Sequence, residues 1–340
     1  MGPRSRAARA RRPSFAAYRP GRQSRVLPLA APAGRPGRTR RVVSAEGALG
    51  AIARCGVCYH PDVHGARELA ERLHAQIAEA DLESWCAPLE RNGPAGGEGP
   101  VEAQLPGSDL LVCVGGDGTV LQASGLASAL GVPVFGVRMG RLGFLAESTE
   151  GEAEAALRLI LAGKGRIEER TMAQAVLEDG EPLHALNDVV IGRQRLGRTV
   201  SVGVHLDGVV LAEYRTDAII VATATGSTGY ALAIHGPILY PTSPELIVAA
   251  VAPHLSYSNA LVVRDGATVT LEVARGHEAV MTVDGHHEVE VRSGSTVRIA
   301  RSPRRARFVR LGGENQFYAN LAQRLGWLRL DHQLGELERD

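Results

Sequence analysis

Lysine is almost missing from this chain. Of its 340 residues only Lys164 carries a primary amine, and the rest of the basic charge is arginine. A Schiff-base mechanism needs a lysine amine, and a Walker A loop needs Gly-Lys-Ser/Thr. Lys164 is followed by Gly165, so no Walker A loop exists. Aromatic residues make up only 4% of the chain, which leaves the cores to Val, Leu, Ile and Ala. Four cysteines are too few for a disulfide scaffold of this length and fit a reduced, cytoplasmic setting. Cys55 and Cys58 form a CxxC, yet they lie in the apolar run Ile52–Tyr59, where residues three apart point to opposite faces of a strand. They read as ordinary strand cysteines. No apolar run approaches the length that spans a bilayer. The formal net charge of +1 lacks the strong positive field that nucleic-acid or membrane-surface binding usually needs.

Charge is uneven at one end. Residues 1–41 hold twelve arginines and no acidic residue, and residues 1–46 read as a disordered Arg-rich extension, with a transit peptide as the alternative. Order is expected from residue 47. Ile52–Tyr59, Leu82–Ala87, Asp109–Val114 and Val132–Val137 read as buried strands. Helices are expected over Ala66–Ala78, from Val120, and over Glu150–Leu161. Alternating strands and helices predict an α/β domain with a parallel sheet over residues 47–150. Arg91–Gly99, with five glycines or prolines, reads as a mobile loop.

Beyond Lys164 the texture changes to short strands separated by Gly, Asp and Asn turns. They are Ala173–Leu177, Ala185–Ile191, Val200–Leu206, Val209–Arg215, Ala218–Ala222, Ala260–Val263, Thr268–Val273, Ala279–Val283, Val289–Val291 and Thr296–Ala300. A β-rich, sandwich-like domain is expected over residues 151–314. The tail 315–340, with Phe317, Leu321, Leu325 and Leu328 near one face, reads as a helix packing back on another part of the molecule.

The strongest local signal is Leu110-Leu111-Val112-Cys113-Val114-Gly115-Gly116-Asp117-Gly118-Thr119. A buried strand brings this loop to the carboxyl edge of a parallel sheet, where α/β proteins bind ligands. Glycines let the backbone approach phosphate oxygens, and the following helix N-terminus offers free N–H groups. Thr119 either caps that helix or touches a phosphate. Asp117 is the odd member, since a carboxylate repels phosphate. It is suited to accept a proton from an attacking hydroxyl or to help hold magnesium; the alternative is a turn whose aspartate caps the helix. The dinucleotide fingerprint is absent, because Leu121 stands at its third glycine.

A second cluster, Thr223-Ala224-Thr225-Gly226-Ser227-Thr228-Gly229-Tyr230, follows the apolar run Ile219–Ala222 with a hydroxyl-rich turn. It reads equally as a binding loop or a hairpin loop. Asn187-Asp188 interrupts the run Leu183–Ile191 and has the donor and acceptor groups to read vicinal hydroxyls, or marks a turn between strands. Asp284-Gly285-His286-His287 fits a type I′ turn better than a metal site.

Taken in order, these motifs resemble the NAD kinase family. The resemblance also includes Gly140-Arg141-Leu142-Gly143-Phe144-Leu145, Arg215-Thr216-Asp217, Gly236-Pro237-Ile238 and Leu325-Gly326-Trp327. It runs from about Ile52 to Trp327 and implies an α/β N-terminal domain, a β-rich C-terminal domain and a C-terminal helix returning to the first. The implied reaction moves the γ-phosphoryl of ATP, or of polyphosphate, to the 2′-hydroxyl of the adenosine ribose of NAD, giving NADP. On this resemblance Asp117 is the base, and Gly115, Gly116, Gly118 and Thr119 cradle the donor phosphates. Asn187 and Asp188 hold ribose or adenine groups. Arg215, Asp217, Thr228, Gly229, Tyr230, Ala231, Leu232 and Ala233 line the NAD pocket, and Arg198 and His286 join the nucleotide-binding set. Mg²⁺, or another divalent cation, is expected with ATP and not at a fixed protein site. A homo-oligomer, dimer or tetramer, is expected, with no membrane or nucleic-acid partner. His235 stands where the family has glycine.

Overall fold

The computed structural model describes residues 47, 49–90, 99–140, 143–178, 180–195, 197–254 and 259–326. The Arg-rich extension, most of the glycine- and proline-rich loop, Arg141, Leu142, Trp327 and Leu328 lie outside them. In chain order the first elements are β1 (Arg54–Tyr59), α1 (Ala66–Glu79), β2 (Glu83–Pro88), α2 (Pro100–Gln104) and β3 (Leu110–Gly115). Then come α3 (Asp117–Leu130), β4 (Val134–Arg138), the two-residue β5 (Ser148–Thr149) and α4 (Ala153–Leu161). The second half holds β6 (Arg166–Leu177), β7 (Leu183–Ala185), β8 (Asp188–Arg193), β9 (Val200–Leu206), β10 (Val209–Thr216) and β11 (Ala218–Ala222). It continues with the single turn α5 (Tyr230–Ala233), β12 (Leu246–Val251), β13 (Leu261–Val263), β14 (Val269–Val273), β15 (Ala279–Val283) and β16 (His287–Val291). The chain closes on the 15-residue β17 (Thr296–Arg310) and α6 (Gln316–Arg324).

Strands β4, β3, β1 and β2 lie side by side in that order and pair in parallel. Their centres are continuous apolar runs because helices cover both faces. Cys55, Val57, Leu110, Val112 and Val114 pack with α1 and α4 on one face. Cys58, Leu111 and Cys113 pack with Trp85 and α3 on the other. The CxxC is thus split across the sheet. Burial pushes the Cys55 thiol up to about 12, and the hydrogen bond to Cys113, with burial, raises Cys58. Neither is a ready thiolate.

In the second half, β13, β12, β11, β8, β15 and β16 form a six-stranded antiparallel sheet. It faces the antiparallel part of the large sheet across a core of Val189, Ile191, Val202, Val204, Ile219, Val221, Leu271 and Ile299. Asp207 and Gly208 both have positive φ, as do Asp284 and Gly285, so both Asp-Gly hairpins turn as type I′.

Strand β17 joins the two halves. Its start pairs with β14, Phe308 pairs in parallel with Val134 of β4, and β6 accompanies nearly its whole length. The result is one 11-stranded sheet. The strand pattern in the sequence stops at Ala300, before Ser302-Pro303. The strand continues because its register with β6 shifts between Arg301 and Arg305, and a bulge spares Pro303 the ladder bond it cannot donate. Three further differences stand out. Helix α3 begins at Asp117 and not Val120, Ala185–Ile191 breaks into β7 and β8, and α2 and β12 were not anticipated. The last, Leu-Ile-Val-Ala-Ala-Val, is buried on both faces and carries no alternation to read.

Candidate active site

The chain passes from β1 to β2 on one side of the parallel sheet and from β3 to β4 on the other, so the β1/β3 edge is a topological switch point. Strand β3 is buried throughout and ends at Gly115. A Cβ at Gly115 would lie 2.5 Å from Thr119 Oγ1, so glycine is required for the turn to fold onto its own helix. Thr119 is buried there and does not cap; the N-cap is Gly116, with no side-chain cap. Asp117 opens α3 but turns its carboxylate away from the helix, onto the segment after β4. The Phe144 N–H donates to Oδ2 at 2.7 Å and the Leu145 N–H to Oδ1 at 3.3 Å. A Cβ at Gly143 would overlap that carboxylate, at 1.9 Å from Oδ1. Arg324 of α6 approaches from the far side, its Nη1 3.5 Å from Oδ2.

The opposite wall is built from the β7–β8 connection and the turn after β11. The half-buried carboxylate of Asp284 accepts the N–H groups of Leu186, Asn187 and Asp188 at 2.8, 2.6 and 3.2 Å. Thr223 donates its hydroxyl to the Leu186 carbonyl and accepts the Gly226 N–H at 3.3 Å. The Thr223 N–H binds the Asn187 carbonyl at 2.9 Å. Gly226 lies flat on that peptide: a Cβ there would be 2.1 Å from the Asn187 oxygen. Asp188 is buried beneath this wall. Burial, with the charge of Asp284, raises its carboxyl to about 7.

Between the walls is a cleft of about 230 Å³ lined by Asp117, Gly118, Leu121, Phe144, Leu145, Asn187, Thr225, Thr228, Gly229 and Arg324. Asp117 is its one carboxylate and Arg324 its one cation among the described residues. The Thr225 hydroxyl is buried with no partner among the described residues, a group left for a ligand to satisfy.

Other residues singled out from sequence fall elsewhere. Arg198 and Arg215 line a separate basic cleft of about 800 Å³ with Arg193, Arg195 and His277. Asp217 is ion-paired to Arg193 at its edge. Ala233 lines an apolar depression with Ile234, His235 and Pro237. Tyr230 is exposed, Ala231 is buried, and His286 is exposed with Nδ1 at 3.0 Å from the Asp284 carbonyl oxygen. Thr225, Phe144 and Asp284 lie within motifs read from the sequence but have no site role assigned there, and Arg324 lies outside them all. An arginine on a tail helix carries no local signature.

Comparison with known proteins gives the family. Residues 101–165 match the model of the ATP-NAD kinase N-terminal domain, and residues 186–311 that of the ATP-NAD kinase C-terminal domain. The NAD kinase of Dehalococcoides mccartyi strain CBDB1 is 33% identical over 277 residues, 80% of this chain and 95% of the relative. The chain belongs to the NAD kinase family. Among solved NAD kinase-like structures, yeast NADH kinase complexed with NADH superposes with a TM-score of 0.72 at 21% identity, covering 83% of this chain and 90% of that one. An NAD kinase from Archaeoglobus fulgidus in complex with ATP gives 0.63 at 25% identity, covering 78% and 96%. The α/β half with its parallel sheet, the β-rich half and the C-terminal helix are therefore the NAD kinase fold.

Proposed function

We propose that this chain transfers the γ-phosphoryl group of ATP to the 2′-hydroxyl of the adenosine ribose of NAD, giving NADP. One observation carries the reading. The Asp117 carboxylate stands in a cleft between a glycine loop at a helix N-terminus and a wall of Asn187, Thr225 and Thr228. Phosphate chemistry belongs to the first wall, because the N–H groups of a helix N-terminus and its partial positive charge favour anions. Hydroxyl recognition belongs to the second.

Each oxygen of Asp117 accepts one backbone N–H and keeps a further lone pair. The two amides fix the direction of the carboxylate, and the remaining lone pair takes the proton of the attacking hydroxyl. Mg²⁺ is the cation this reading requires. Among the described residues no cluster of three His, Cys, Asp or Glu is placed for a metal, and the cleft offers one carboxylate. That donor set fits a cation delivered with ATP and held by phosphate oxygens and water, with Asp117 left to its role as base, since Mg²⁺ usually keeps several waters and leans on substrate phosphates. When bound it neutralises charge on those oxygens.

The reading includes a homo-oligomer. Arg198 and Arg215 lie outside the Asp117 cleft, which supports an NAD pocket completed by a second copy. The exposed Val209, Val210 and Leu211 on the edge strand β10 support such association. The test of function mixes purified protein with Mg-ATP and, separately, NAD, NADH or a lipid, and identifies by mass which acceptor gains a phosphoryl group. A gain on NAD or NADH is expected; a gain on the lipid alone, or on none, overturns the reading.

A further inference from the structure

Arg324 ends α6 and reaches into the cleft from the C-terminal side of the chain. Its guanidinium stacks on Phe144, with Cζ 4.1 Å from the ring centroid. The ring belongs to the same segment whose N–H groups hold Asp117. The 3.5 Å separation from Asp117 lies beyond a good hydrogen bond, and that carboxylate is already directed by two amides. Among the described residues the guanidinium meets no other oxygen acceptor. The side chain is therefore anchored on the Phe144 ring, while its five N–H donors stay largely uncommitted. Lys164, the one lysine, does not line this cleft.

Resting on the function proposed above, we infer that Arg324 is a catalytic residue of the phosphoryl transfer, a cation that passes from Asp117 to the oxygens of the transferring group. With the terminal phosphate of the donor on the glycine loop, the guanidinium pivots on Phe144 and places its fork on the γ-phosphoryl oxygens. The acceptor hydroxyl oxygen then forms the new O–P bond. The bond from phosphorus to the β,γ-bridging oxygen breaks, and its electron pair leaves with ADP. The hydroxyl proton goes to a lone pair that Asp117 keeps beside its two backbone amides. Arg324 gives up no proton; it holds charge that spreads over the equatorial oxygens. A planar fork suits that task better than a point charge.

The test compares the full-length wild type with Arg324→Ala and Arg324→Lys, each checked for an unchanged melting temperature. Arg324→Ala is expected to lose about 100-fold in kcat, as for removal of one transition-state donor, with KM for NAD moving far less. Arg324→Lys should fall between, and guanidinium chloride at sub-denaturing concentration should restore turnover to Arg324→Ala but not stimulate wild type. The inference is overturned if Arg324→Ala keeps kcat within about threefold of wild type, or if its defect lies wholly in KM. It is also overturned if added guanidinium gives no rescue. A wild type that phosphorylates neither NAD nor NADH defeats the parent reading; an active wild type with an indifferent Arg324→Ala defeats this inference alone.

Discussion

Asp117 is directed by backbone, and that choice decides what its substitution does. Replacing it with asparagine keeps size and one acceptor but sets an amide N–H₂ against one of the two N–H donors of Phe144 and Leu145. The fold and NAD binding should survive, while turnover falls about 10²- to 10⁴-fold, the range for a lost general base. Near-normal NADP formation by Asp117→Asn would remove the base assignment. A second residue carries strain. His235 has φ +61°, in the left-handed region that costs a side chain about 1–2 kcal/mol. His235→Gly should therefore raise stability by about 0.5–1 kcal/mol after the extra unfolded-state entropy of glycine is counted, readable in urea titration. At this scale the sequence was informative where neighbours are local. The glycine loop announced Asp117, and the family pattern flagged His235 as a departure from glycine. Arg324 and Asp284 act on residues far away in sequence, and no spacing rule connects them.

Among the elements, β6 and β17 hold a buried charge cluster that periodicity did not reveal. Glu168 bonds Arg170 at 3.0 Å and Arg310 at 3.1 Å, and both guanidinium groups flank the Phe308 ring at 4.9 and 5.0 Å. Arg310 also donates to the Leu145 carbonyl at 2.9 Å, which ties the cluster to the segment that directs Asp117. Burial by itself would raise the Glu168 carboxyl, but the charges of Arg310 and Arg170 outweigh it and lower the group to about 2. A folded value below the unfolded one means that the stabilisation is present above about pH 4.3 and is lost as pH falls toward 2. Its size is on the order of 3 kcal/mol. Glu168→Gln should leave two buried guanidinium groups short of a partner and cost about 3–5 kcal/mol at neutral pH. It should also flatten the stability loss between pH 4 and 2, measured by denaturant titration across that range. The elements themselves were legible wherever one face met solvent, as in α1, β9 and β10. Strands covered on both faces were also legible where a helix pattern followed, as in β3, but β12 was missed, and the proline in a bulge hid the second half of β17.

For the whole molecule, alternating strands and helices predicted a parallel sheet and the hairpin turns an antiparallel one. That the two would share one sheet was not legible, because pairing between β4 and β17 joins residues from opposite halves of the chain. A chain truncated before Thr296 removes one neighbour of β4 and the long partner of β6. Such a fragment should be protease-sensitive throughout, with its parallel half no better protected than the rest. A trypsin-resistant core over residues 50–165 would show that the first half stands alone.

The position of β17 also bears on synthesis. The ribosome makes β4 well before β17, so the nascent sheet carries an open flank until β17 emerges. Unpaired flanks of this kind are where growing chains stick to one another. Yield in a cell should then depend on chaperone capacity and translation speed more than the stability of the finished enzyme suggests.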